Sequence, residues 1–110
     1  MTEPGISTHV LDTSRGAPAA GVPVTLYRRD GSDLRRVGSG TTGDDGRIAN
    51  LLEGDLSPGW YQLVFDVGAY FGSQQHFFTR IALDVAVSEA RHHHVPLLVS
   101  AYSCTSYRGS

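Results

Sequence analysis

Residues 80–87 read RIALDVAV, in which large apolar side chains alternate with small or polar ones. This period of two is typical of a β-strand that is covered on one face. Similar runs occur at residues 7–12, 22–26, 34–41, 61–66, 92–99 and 102–107. Turn-forming residues separate the runs, and only residues 67–74 could hold a turn or two of helix. We predict a two-sheet antiparallel β-sandwich with one short helix, in which Pro23 starts a strand near a sheet edge.

The composition limits the possible partners. A chain of 110 residues forms one domain, so we treat 1–110 as a single domain and expect residues 1–5 to be flexible. The net charge of −2 argues against nucleic acid, and no apolar run approaches the roughly 18 residues of a membrane span. A single cysteine, Cys104, cannot form an internal disulfide, and no secretory signal is visible, so we expect a cytoplasmic protein.

Residues 92–99 carry apolar side chains on both faces of the expected strand. A strand with one face in water normally has polar side chains on that face. The pattern suits either a central strand flanked by longer loops or a strand whose second face is buried against another subunit. We favour the second interpretation.

The histidines are the most obvious candidates for reactive or metal-binding side chains. His92 and His94 would share one face of the strand about 7 Å apart, while His93 points away. Together with His9 they could ligate zinc. No carboxylate stands at a supporting spacing, however, and we predict that there is no metal site.

Arg47 and the last residues each allow two interpretations. Arg47 follows the turn at residues 43–46, and it is either an exposed arginine or a rigidly held guanidinium for a planar, oxygen-rich ligand. Residues 107–110 either fray or are held at an interface, because the strand pattern runs into them without a polar linker.

Taken together, five segments resemble one known family. They are STHVLDT at 7–13, GAPAAGV at 16–22, YQLVFDVGAYF at 61–71, HVPLLVS at 94–100 and SYRGS at 106–110. They are similar to the 5-hydroxyisourate hydrolases, the enzymatic branch of the transthyretin family, from about residue 6 to the last residue. The terminal YRGS is the most specific of these motifs. The chain departs from the family in reading HHH at 92–94, where relatives often have HYH, and in residues 72–80 and 101–104.

The resemblance implies a transthyretin-like sandwich that opens the lactam ring of 5-hydroxyisourate without a cofactor or metal. It implies that His9, Arg47 and His94 are catalytic. It also implies that substrate is bound by these positions of the sequence: His9, Arg47, Tyr107, Arg108, Gly109 and Ser110. The family assembles as a homotetramer, a dimer of dimers with active sites between subunits. Cys104 is not among its catalytic residues, and we interpret it as a packing residue.

Two further hypotheses belong to other classes of protein. A non-catalytic carrier of a small aromatic ligand could share the fold, but that branch lacks the YRGS ending and the histidine–arginine–histidine set. An interaction module is the other hypothesis, and the methionine start and terminal motif disfavour it.

Overall fold

The computed structural model describes residues 4–109, which form two β-sheets around a shared core and one short helix. In chain order the elements are β1 (Ile6–Asp12), β2 (Ala17–Pro18), β3 (Pro23–Asp30), β4 (Asp33–Thr41), β5 (Arg47–Ile48), β6 (Gly59–Phe65), α1 (Val67–Phe71), β7 (Ile81–Val87), β8 (His93–Val99) and β9 (Cys104–Ser106). The predicted β-sandwich with one short helix is confirmed. Within these residues no helix has the length and apolar character needed to cross a membrane.

The first sheet has the order β2-β1-β8-β9, with β5 also paired to β1, and the second has the order β4-β3-β6-β7. Strands β1 and β8 run parallel, whereas the other strand pairs among residues 4–109 are antiparallel. A parallel pair needs a long connection, and residues 13–92 lie between these two strands. The parallel register places Ser7 beside His94 and His9 beside Pro96.

The prediction that Pro23 lies near a sheet edge is wrong, because β3 is paired on both sides, by β4 and β6. Proline is tolerated there because it is the first residue of its strand, where a missing N–H interrupts no ladder bond. The interpretation of Cys104 as a packing residue is also wrong for the single chain, in which this cysteine is exposed.

The core is built mainly from one side of strands β1, β3, β6, β7 and β8. Ile6, Val10 and Leu97 of the first sheet are fully buried, and so are Leu63 and Phe65 of the second. These positions follow the period of two, because successive side chains of a strand point to opposite faces. The core therefore lies on the inner face of the first sheet and leaves the outer face for other contacts.

The outer face of the first sheet carries Ser7, His9 and Leu11 of β1. Through the parallel register, His94, Pro96 and Leu98 of β8 lie on the same face. Val95, Leu97 and Val99 alternate with them and are buried in the core. Both faces of β8 therefore carry apolar side chains, as the sequence indicates. On the outer face of the sheet, the side chains of Ser7, His9 and His94 lie between apolar ones.

Helix α1 spans five residues between β6 and β7. Asp66 precedes it, and the Asp66 carboxylate accepts a hydrogen bond of 3.0 Å from the backbone N–H of Ala69. Gly72 ends it with a φ of 58°, a conformation that favours glycine. The two signals delimit the helix, which is shorter than the predicted segment of residues 67–74.

Candidate functional site

A tight turn positions Arg47 at the start of β5. The Asp45 carboxylate accepts from the backbone N–H of Arg47 at 3.0 Å, and the N–H of Gly46 donates to the carbonyl of Gly43 at 2.9 Å. Gly46 has a φ of 76°, and a Cβ atom on it would overlap the carbonyl oxygen of Val10. Only glycine fits between this turn and β1, so the turn holds Arg47 in one register.

Arg47 lies directly opposite His9 in the pairing of β5 with β1. The N–H of Val10 donates to the carbonyl of Gly46 at 2.8 Å, which makes His9 and Arg47 a non-hydrogen-bonded pair. In such a pair the Cα atoms are about 4.5 Å apart and the side chains are close together. Among residues 4–109, no hydrogen bond or ion pair engages the guanidinium of Arg47. An uncompensated cation therefore stands beside His9.

His94 lies on the other side of β1, next to Ser7, and its Nδ1 is 2.7 Å from the Ser7 hydroxyl oxygen. From the strand spacing and rise, the Cα atoms of His94 and His9 are about 8 Å apart on the same face. Burial is the main cause that lowers the pKa of His94, and electrostatic interactions with Arg47, His9 and His92 lower it further. The imidazole of His94 is therefore held in its neutral form.

Two depressions border His94. One, of about 370 Å³, is lined by Ser7, Arg47 and His92 together with His94. The other, of about 380 Å³, is more apolar and is lined by strand β7 and by Tyr107 and Arg108. We take the first as the candidate active site, because it brings Arg47 and His94 together with the hydrogen-bonding side chains of Ser7 and His92. His9 is not among the residues that line it but lies directly opposite Arg47. His94 is the link between the two depressions.

The end of the chain packs against His94. The N–H of Gly109 donates to the carbonyl of His94 at 2.8 Å, and the two residues form an isolated β-bridge. A Cβ atom on residue 109 would lie 2.5 Å from Cδ2 of the His94 ring, so the close approach requires glycine. Tyr107 and Arg108 are exposed beside the apolar depression. Ser110 lies outside the described residues.

The structure thus brings His9, Arg47 and His94 onto one face of one sheet, and Gly109 to its rim. Their catalytic and binding roles stay predictions, as do those of Tyr107, Arg108 and Ser110. Among residues 4–109, no group of three histidine, cysteine or carboxylate side chains is arranged to hold a metal ion.

Sequence reasoning missed Ser7, which lies between His92 and His94 and contacts both rings. The period of two could have placed Ser7 on the face of His9. Only the parallel pairing of β1 with β8, however, brings it to the histidine run.

The comparisons with known proteins agree with this architecture. A profile of the HIUase/Transthyretin family matches residues 6–109. A 5-hydroxyisourate hydrolase of Pseudomonas aeruginosa is 40% identical over 114 residues, which cover 96% of this chain and 90% of that protein. The structure of Klebsiella pneumoniae 5-hydroxyisourate hydrolase superposes with a TM-score of 0.84 at 36% identity, covering 96% of this chain and 98% of that one. Sea bream transthyretin in complex with thyroxine has a TM-score of 0.86 at 24% identity, covering 94% and 93%, which shows the shared fold alone.

Proposed function

This chain belongs to the HIUase/Transthyretin family, and on that premise we propose that it is a 5-hydroxyisourate hydrolase. The enzyme opens the lactam ring of this small molecule to give 2-oxo-4-hydroxy-4-carboxy-5-ureidoimidazoline, a step of urate breakdown. One observation carries the proposal to the level of residues. His9, Arg47 and His94 converge on the outer face of the first sheet, and the Arg47 guanidinium has no partner among residues 4–109.

The reaction needs three groups. A base takes a proton from water as the water oxygen bonds to the lactam carbonyl carbon. A cation or hydrogen-bond donor stabilises the oxyanion that forms, and an acid returns the proton to the nitrogen as the C–N bond breaks. The imidazoles of His9 and His94 supply the proton chemistry in this proposal, because histidine titrates near neutral pH.

Arg47 supplies the charge. Its guanidinium offers a planar fork of N–H donors that suits the carbonyl oxygens of a planar, oxygen-rich ring. The Gly46 turn holds the backbone of Arg47 before substrate binds, so little ordering is needed at the moment of reaction. No cofactor or metal takes part in the proposed chemistry.

The proposal assigns the last residues to substrate binding and to the exclusion of water. Gly109 is bonded to the backbone of His94, which supports a role for residues 107–109 at the rim of the site. Tyr107 and Arg108 are exposed in the single chain and are free to meet a substrate or a second subunit. The proposal includes Ser110 with them.

We further propose a homotetramer, a dimer of dimers in which the candidate sites lie between subunits. Leu11, Pro96 and Leu98 lie on the same outer face as the catalytic set. Covering this face with a second copy would bury Leu11 and Leu98, which are half-buried in the single chain, and would close the candidate site to bulk water. The proposal also includes a cytoplasmic location, with which an unpaired, exposed Cys104 is compatible.

The test generates 5-hydroxyisourate from urate with a urate oxidase and follows its ultraviolet absorbance with and without the protein. We expect decay well above the spontaneous rate, unchanged by EDTA. Loss of activity with EDTA would contradict the metal-independent mechanism and favour a zinc-dependent hydrolase instead. A spontaneous rate in both arms would replace it with a carrier of the kind that the thyroxine-bound fish protein represents.

A further inference from the structure

A chain of hydrogen bonds leads from Gly5 through His92 and Ser7 to His94. The backbone N–H of Gly5 donates to Nδ1 of His92 at 3.2 Å. Nε2 of His92 is 2.8 Å from the Ser7 hydroxyl oxygen, which is in turn 2.7 Å from Nδ1 of His94. Nothing in the proposed mechanism uses Ser7 or His92, yet Ser7 contacts the ring that the mechanism needs and His92 contacts Ser7.

The protons of this chain can be assigned from its one fixed donor. A backbone N–H only donates, so Nδ1 of His92 is an acceptor and its ring proton lies on Nε2. That Nε2–H donates to the Ser7 oxygen, and the Ser7 O–H is then directed to Nδ1 of His94. Because Nδ1 of His94 accepts, the proton of its neutral ring lies on Nε2.

The Nε2–H of His94 is available to a ligand. No hydrogen-bond partner for this nitrogen exists among residues 4–109. In the same residues no buried side-chain nitrogen or oxygen lacks a partner, so the unpaired Nε2 is open to solvent. His94 also lines the depression that we take as the candidate active site, together with Arg47.

We propose that Ser7 and His92 are positioning residues that hold neutral His94 with Nδ1 as acceptor and Nε2–H directed at the substrate. The inference rests on the proposed hydrolase function and deepens it by dividing the work of the two histidines. A neutral imidazole that donates from Nε2 polarises the lactam carbonyl and stabilises its oxyanion without giving up the proton. His9 is then the base that takes the proton of water and returns it to the departing nitrogen.

Burial and the electrostatic influence of Arg47, His9 and His92 also disfavour the protonated form of His94. His9 and Arg47 face it from β1 and β5, and His92 precedes it on its own segment. Asp45 lines the first depression that His94 borders, and Asp84, His93 and Arg108 line the second, so both depressions contain one acidic group. A hydrogen bond donated to the neutral ring disfavours protonation. Removal of the Ser7 hydroxyl therefore raises the pKa of His94 and frees its ring.

The test combines kinetics with NMR of ¹⁵N-labelled histidine. In the unmodified protein we expect His94 to carry its proton on Nε2 alone. In Ser7→Ala we expect a mixture of tautomers, a higher His94 pKa and a kcat about tenfold lower, with KM little changed. Ser39→Ala, on an exposed position of β4, is the matched control and should alter none of these.

Variants of His92 keep the test decisive if Ser7→Ala folds poorly, because His92 is at an exposed position. Gln in place of His92 can still present an N–H near the Nε2 position, whereas Leu cannot. We expect His92→Leu to reproduce the loss in kcat and the rise in the His94 pKa, and His92→Gln to recover most of both. Equal effects of Leu and Gln would overturn the inference.

A proton on Nδ1 of His94 in the unmodified protein would also overturn it, as would an unchanged His94 pKa in Ser7→Ala. The tautomer is measured without substrate. Failure of the hydrolase proposal would therefore appear as absent turnover with the Nε2–H tautomer intact, which separates the two outcomes.

Discussion

His9 and Arg47 face each other across strands β1 and β5 as a non-hydrogen-bonded pair. This geometry brings their side chains together on the outer face of the sheet. The backbone hydrogen bonds between the two strands form at neighbouring residues, such as Val10 with Gly46. A two-residue strand is sufficient for this, because the glycine turn before it sets the register. The pair is thus prepared by main-chain geometry before any ligand arrives.

The first prediction concerns the titration of His94. Burial, and then electrostatic interactions with Arg47, His9 and His92, lower its pKa, so the neutral ring should persist below the ordinary value of about 6.5. Arg47→Ala removes the guanidinium charge and should move the titration upward, measured by NMR of the ring Cε1–H. Arg35→Ala, at an exposed position of the second sheet, is the control. A His94 pKa that is unchanged in Arg47→Ala would contradict the proximity of these two side chains.

The same shift affects stability. The unfolded chain binds the His94 proton at a higher pH than the folded chain does. The stabilising contribution of the neutral ring is therefore complete above a pH of about 6.5 and is lost as the pH falls towards the lowered pKa. Denaturation series at several pH values should show this loss, and it should be smaller in His94→Ala. An equal pH dependence in both proteins would argue against it.

Gly109→Ala tests the contact between the end of the chain and the site. The added methyl group would lie 2.5 Å from Cδ2 of His94, so the ring or the terminal segment must move. We expect kcat to fall about tenfold or more, with the thermal midpoint little changed. In Gly40→Ala the new Cβ stays at least 3.4 Å from its neighbours, which makes it the matched control. Full activity of Gly109→Ala would remove residue 109 from the site.

Gly46→Ala tests the turn that holds Arg47. Its φ of 76° is unfavourable for alanine, and the new Cβ would overlap the carbonyl oxygen of Val10. We expect a loss of more than about 1 kcal/mol in the free energy of unfolding. Turnover per folded molecule should also fall, because the guanidinium is displaced from His9. Urea denaturation and the hydrolysis assay separate the two effects, and a stable, fully active variant would refute the role of the turn.

Leu98→Glu tests the proposed assembly. Leu98 lies on the outer face of β8, where a carboxylate would be costly to bury against a second subunit. Light scattering should report a mass below that of the unmodified protein, and activity should fall with it. Leu34→Glu places the same charge on an exposed position of β4 and should leave the mass unchanged. An unaltered mass for Leu98→Glu would exclude this face from the interface.

Much of the fold could be predicted from the sequence, because strand alternation is a local property. The run at residues 80–87 and the doubly apolar run at residues 92–99 both became strands near their expected limits. The parallel pairing of β1 with β8 could not be predicted in this way, since no local pattern fixes the partner of a strand far along the chain. The prediction that Pro23 lies near a sheet edge is wrong for the same reason. Whether a strand tolerates a proline depends on the position of the proline in the ladder of backbone hydrogen bonds, which the local sequence does not show.

The candidate site divides along similar lines. The resemblance indicates His9, Arg47 and His94, and the registers of β1 with β5 and β8 bring these residues to one face. The histidine run alone favoured no particular use for His92. Its contact with Ser7 depends on a neighbouring strand, so only the three-dimensional structure reveals it.

The hydrolysis assay with His94→Ala tests the central claim most directly. The decay of 5-hydroxyisourate absorbance is compared for this variant and the unmodified protein, with circular dichroism and light scattering on both. We predict a loss of about 100-fold or more in turnover while the fold and the mass stay the same. Turnover per folded subunit equal to that of the unmodified protein would contradict the catalytic role of this face.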